Sequence, residues 1–100
     1  MLTKNNLYIL GLLLLGLIAF NVNLHADEFD ISASEIIIDK ENNTIVGKGS
    51  VEVVDKESRV IKANKVIYEK TKEFLSAEGL VNITDANGNI INSNKATYDK

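Results

Sequence analysis

The sequence predicts an all-β chain of antiparallel strands, built as an open-ended, solenoid-like repeat of about 30 residues behind an N-terminal signal peptide. Three observations predict it. Ile31-Ser32-Ala33-Ser34-Glu35-Ile36-Ile37-Ile38-Asp39-Lys40 moved forward by 30 positions falls on Ile61-Lys62-Ala63-Asn64-Lys65-Val66-Ile67-Tyr68-Glu69-Lys70, and again on Ile91-Asn92-Ser93-Asn94-Lys95-Ala96-Thr97-Tyr98-Asp99-Lys100, with no gap. A fixed period of this size marks stacked supersecondary units that borrow apolar cover from their neighbours. From Phe29 onward apolar and polar residues alternate, with short polar links and no sustained helical period. Before that lies a stretch of different composition.

In this first stretch Lys4 supplies a positive start, Leu7 to Phe20 is a nearly unbroken apolar run of 14 residues, and Ala26 precedes Asp27-Glu28. That layout reads as a signal peptide over residues 1–26, cleaved after Ala26, with an uncleaved membrane anchor as the alternative. Residues 27–100 are then expected to form the exported domain, and the third copy's stop at Lys100 leads to the expectation that it is incomplete at its C-terminal side. This domain holds all 14 acidic and 10 of the 11 basic side chains, so 10 − 14 leaves a net charge near −4. Such an acidic balance argues against nucleic acid as a partner, because phosphates select a clustered basic surface. Without cysteine, stability has to come from regular packing rather than from disulfides.

Taken in order, Phe29, Ile31 and Ala33 share one strand face, while Ile36 and Ile38 have the opposite parity. The switch at Ser34-Glu35 recurs at Asn64-Lys65, between Ile61/Ala63 and Val66/Tyr68. A parity change needs an extra residue, and repeated in register it predicts a bulge or corner. The second strand of each unit is longer, running through Ile45, Gly47, Gly49, Val51 and Val53, then through Leu75, Ala77, Gly79, Val81 and Ile83. Each would span on the order of 30 Å if straight. Small residues at mid-strand predict instead that these strands curl around a lumen. Lys40 to Asn43, Lys56 to Ser58, Lys70 to Glu73 and Ala86 to Gly88 are the turns, and Asn87-Gly88 is the strongest because both residues tolerate positive φ.

Catalysis has little to work with. The only histidine, His25, falls in the signal segment, so the exported domain lacks imidazole and thiol alike. Glu52, Glu78 and Asp39 occupy outward or turn positions and read as solvated. Asp85-Ala86-Asn87-Gly88-Asn89 reads as a hairpin turn, its glycine misplaced for a calcium loop. The sequons at Asn42 and Asn82 are short enough to arise by chance. The expectation is a protein that is not an enzyme and needs no cofactor or metal.

The inward row carries the chemistry. Ile31, Ala33, Ile36, Ile38, Ile45, Val51 and Val53, with Ile61, Ala63, Val66, Tyr68, Leu75, Val81 and Ile83, are expected to face one interior. That interior is either an ordinary dry core or an open apolar trough. A trough can hold acyl chains, gaining roughly 0.8 kcal/mol for each methylene removed from water.

The pattern of Ile61-Lys62-Ala63-Asn64-Lys65-Val66-Ile67-Tyr68-Glu69 followed by Ala77-Glu78-Gly79-Leu80-Val81, with its partners one period earlier, resembles the organic-solvent-tolerance (OstA-like) domain family of lipopolysaccharide-transport proteins. The similarity covers Phe29 to Lys100. Where that family has Asp after the alanine this chain has Ser34, Asn64 and Asn94, and where it favours Asn after the glycine this chain has Ser50 and Leu80. The resemblance implies an antiparallel β-jellyroll in the periplasm, or on the periplasmic side of the outer membrane, of a Gram-negative bacterium. It implies that the fourteen inward residues contact the lipid A acyl chains of lipopolysaccharide, and that other Lpt jellyroll modules pair with this one by edge-strand addition. The alternative reading is an exported β-solenoid structural or adhesin repeat without lipid cargo.

Overall fold

The computed structural model describes residues 21–26 and 28–99, and among them every regular element is a strand. The strands are β1 (Val22–Ala26), β2 (Phe29–Ala33), β3 (Glu35–Asp39), β4 (Thr44–Asp55), β5 (Val60–Glu69), β6 (Phe74–Thr84) and β7 (Ile90–Asp99). They form one antiparallel, open sheet in the order β1-β2-β4-β5-β6-β7, with β3 pairing the first half of β4 while β2 pairs its second half. The expected turns fall between them as read. β1 belongs to the segment assigned to the signal peptide; it pairs with β2 over five residues and puts Ala26 into the core, whereas residues 1–20 lie outside the described residues.

The parity switches appear as a fold in the sheet. Phe29 stands opposite Asp55, and Val54 opposite Val60, so Phe29 is level with the start of β5. Tyr68 lies eight residues beyond Val60, roughly 26 Å along a straight strand. Yet the rings of Phe29 and Tyr68 sit 5.2 Å apart, edge to face, and Phe29 meets Tyr98 of β7 at 5.5 Å. Each long strand therefore doubles back at its middle. The result is a V of two leaves, one holding residues 44–48, 65–69, 74–78 and 95–99, the other 51–55, 60–63, 81–84 and 90–93.

The crease is built by the long strands. Between Lys48 and Val51, β4 takes three steps while β5 takes two from Lys65 to Ala63, and β6 does the same between Glu78 and Val81 against β7. The extra residue thus lies in β4 and β6, opposite the parity switch rather than at it. It is accommodated by two successive left-handed residues, Gly49 (φ 81°) with Ser50 (46°), and Gly79 (83°) with Leu80 (50°). At the first switch the chain breaks into β2 and β3 at Ser34, whose N–H donates to the Gly49 carbonyl at 2.9 Å; at the second, β5 runs through Asn64 unbroken. Left-handed residues also recur one period apart in the turns, at Asn43 and Glu73 and at Ser58 and Gly88.

Leu80 is a misfit at this position. A bulky L-residue in the left-handed region loses about 1–2 kcal/mol, and Leu80, 78% exposed, recovers little of that by packing. Leu80→Asn is expected to stabilise the protein by about 1 kcal/mol, because asparagine tolerates this conformation. A higher urea midpoint at unchanged m-value is the measurement.

Candidate functional site

The inside of the V is a set of cross-strand rows. Ile38, Ile45, Tyr68, Leu75 and Tyr98 are successive partners at the tip of one leaf; Ile36, Gly47, Val66, Ala77 and Ala96 form the next row towards the crease. On the other leaf Leu24, Ile31, Val53, Ile61, Ile83 and Ile91 make one continuous row. Antiparallel partners share a face, so a single alternation repeated at one register lines both leaves with apolar side chains. Gly47 keeps the two leaves close: a methyl there would lie 3.3 Å from Val51 and 3.5 Å from Ala33.

Of the fourteen residues expected to line the interior, eleven are buried: Ile31, Ala33, Ile45, Val51, Val53, Ile61, Ala63, Val66, Tyr68, Leu75 and Val81. The middle of the V is filled by the protein's own side chains. The other three stand where the filling stops. Ile36 and Ile83 are half-buried, and Ile38, 55% exposed, lies on the row of Ile45 but on β3, whose other edge carries no ladder among the described residues.

At the β7 end the packing opens into a cavity of about 300 Å³, bounded by Ile61, Ile83 and Ile91 on one leaf and by Leu75, Ala77 and Ala96 on the other. Its lining includes residues that the expected set leaves out: Ala77, Ile91, Ala96 and Tyr98. The repeat already marks three of them, since Ile91, Ala96 and Tyr98 stand one period after Ile61, Val66 and Tyr68. Arg59, the chain's one arginine, carries no such mark, because Phe29 and Asn89 occupy its equivalent positions.

The polar rim is held by two turns of the same design. Asp55, on the β4–β5 turn, accepts from the N–H groups of Glu57 and Arg59 at 2.9 Å each and from Arg59 Nε at 2.7 Å. Asp85, one period on, accepts at 2.9 Å from the N–H groups of Asn87 and Asn89 and from Asn89 Nδ2. The Asn89 side-chain bond, reinforced by backbone N–H donors, holds the Asp85 carboxyl below its ordinary value, as Asn42 does for Asp39. The hydrogen bond to Asp55 raises the Arg59 guanidinium further. From that anchor Arg59 reaches across the mouth of the V: its charge centre sits 5.2 Å from the Tyr98 ring centroid and its Nη2 3.4 Å from the Tyr98 hydroxyl. Among the described residues no three His, Cys, Asp or Glu side chains converge as a metal site would require.

Comparison with protein-family models, with curated proteins and with solved structures finds no match for this chain.

Proposed function

We propose that this protein is a periplasmic lipopolysaccharide-binding module of the lipopolysaccharide transport and outer-membrane assembly pathway, a β-jellyroll that conducts lipid A acyl chains along its apolar interior. The observation that carries this reading is the apolar cavity of about 300 Å³ that opens at the β7 end of the V and runs into rows of aliphatic side chains. An acyl chain gains roughly 0.8 kcal/mol per methylene in such surroundings, and no covalent step is needed to bind it or pass it on. The folded sheet and the recurrence of its crease one period apart support the OstA-like jellyroll repeat that the sequence resembles. β7 ends the strand order, so its outer edge has no strand partner among the described residues and offers a site where a neighbouring module can add a strand.

A photocrosslinking residue at Ile83 or Ile91, in cells exporting lipopolysaccharide, is expected to label with lipopolysaccharide, whereas one at Glu52, on the outer face, is not. Absence of label at both inner positions in folded protein would sink this reading. One observation favours a second reading, an exported β-solenoid structural or adhesin repeat without cargo: eleven of the fourteen inward residues already form a closed core. Under that reading the cavity is an end effect, and neither inner position labels.

A further inference from the structure

The middle of the V is filled, among the described residues, by buried side chains, so an apolar chain advances beyond the cavity only if the two leaves separate. Among the described residues, two side chains of the opposite leaf rest on Tyr98, at the cavity end, beside the Phe29–Tyr68 contact. One is Phe29. The other is Arg59, which is anchored on one leaf by Asp55 and rests on Tyr98 of the other. We propose that Arg59 is a latch on this cavity, and that a neutral apolar segment, such as an acyl chain, is admitted when the guanidinium lifts off Tyr98. The inference rests on the lipid-binding reading and adds to it the residue that controls access.

The rim chemistry selects the guest. Asp55 and Asp85 each already accept three hydrogen bonds from their own turns, and Arg59 is shared among Asp55, Glu57 and Tyr98. No rim group calls for a ligand charge, while the walls are isoleucine, leucine and alanine. The site therefore takes a neutral apolar segment. The latch is suited to opening because the Arg59 side chain is 34% exposed, so it reaches water as it leaves Tyr98. Asp55, whose side chain is 5% exposed, stays in place as the pivot.

The test uses the whole chain and N-phenyl-1-naphthylamine, a neutral apolar fluorophore, in stopped-flow. Arg59→Ala is expected to speed association on the order of tenfold, the change that loss of one charge-assisted contact gives. Tyr98→Phe keeps the ring under the guanidinium but removes the hydroxyl, and is expected to give a smaller acceleration with the melting curve intact. Ala96→Phe, on the half-buried edge of the cavity, is expected to abolish binding. Association at the wild-type rate in both Arg59→Ala and Tyr98→Phe overturns the latch, as does undiminished binding in Ala96→Phe. Lipopolysaccharide crosslinking at Ile83 is scored separately: labels that persist while the latch fails leave the conduit reading standing, and fluorophore gating without any label removes lipopolysaccharide as the cargo but keeps the latch.

Discussion

Tyr68→Ala is expected to abolish cooperative unfolding, or to cost about 3–5 kcal/mol where a transition survives, the usual range for truncating a large core aromatic. Native domains have only about 5–15 kcal/mol of net stability. Tyr68 is 2% exposed, sits in the tip row between Ile45 and Leu75, and meets Phe29 edge to face from the opposite leaf. Removing its ring withdraws apolar area from both leaves at once and breaks a contact that holds the V shut. Tyr98, its equivalent one period later, makes the same edge-to-face contact with Phe29 but is only half-buried. Tyr98→Ala is therefore expected to cost less, and urea denaturation of the two variants decides it. Equal losses would mean that the interior at Tyr68 is no better packed than at the open end.

Much of this architecture is legible in the sequence because one alternation, copied at a fixed interval, specifies strands, faces and turns together. The row Ile45, Tyr68, Leu75 and the row Val53, Ile61, Ile83 follow from parity alone. The crease is legible from the mid-strand glycines Gly49 and Gly79, whereas the strand that carries the extra residue is not legible from parity. Parity flags Ser34-Glu35 and Asn64-Lys65, but the extra residue lies in the partner strand, where Gly49 and Gly79 permit left-handed backbone. A single strand's pattern cannot say which member of a pair carries a bulge. Nor can periodicity say how full the interior is, and burial at Ile31 against exposure at Ile38 depends on which strands have neighbours on both sides. Arg59 lies beyond reach for a further reason: its role comes from a contact between leaves, with Tyr98 39 positions away, and no repeat or motif records it.

Gly79→Ala is expected to destabilise by about 3 kcal/mol, combining two effects that its neighbours allow to be measured apart. The first is conformational, since at φ +83° an L-residue loses roughly 1–2 kcal/mol. The second is steric: the added methyl would fall 2.7 Å from Asn64 Nδ2, so that amide must swing away, and 3.0 Å from the Asn64 Cβ, a tight contact at which β5 has to give by a few tenths of an ångström. Gly88 supplies the control. It has nearly the same dihedral, φ +87°, with nothing within 4 Å of an added methyl, so Gly88→Ala is expected to show the conformational cost alone. Asn64→Ala in the Gly79→Ala background removes the amide but leaves the Cβ contact, and is expected to recover about 1 kcal/mol as a coupling between the two sites. Denaturant midpoints of these variants and of Asn64→Ala alone complete the cycle. If Gly79→Ala costs no more than Gly88→Ala, the close approach of Asn64 does not set the angle of the V. If it costs more and Asn64→Ala restores part of the difference, the spacing of the leaves is fixed where a glycine in one strand faces a polar side chain in the next. The same contact, between Gly49 and Ser34 at 3.0 Å, then fixes it one unit earlier.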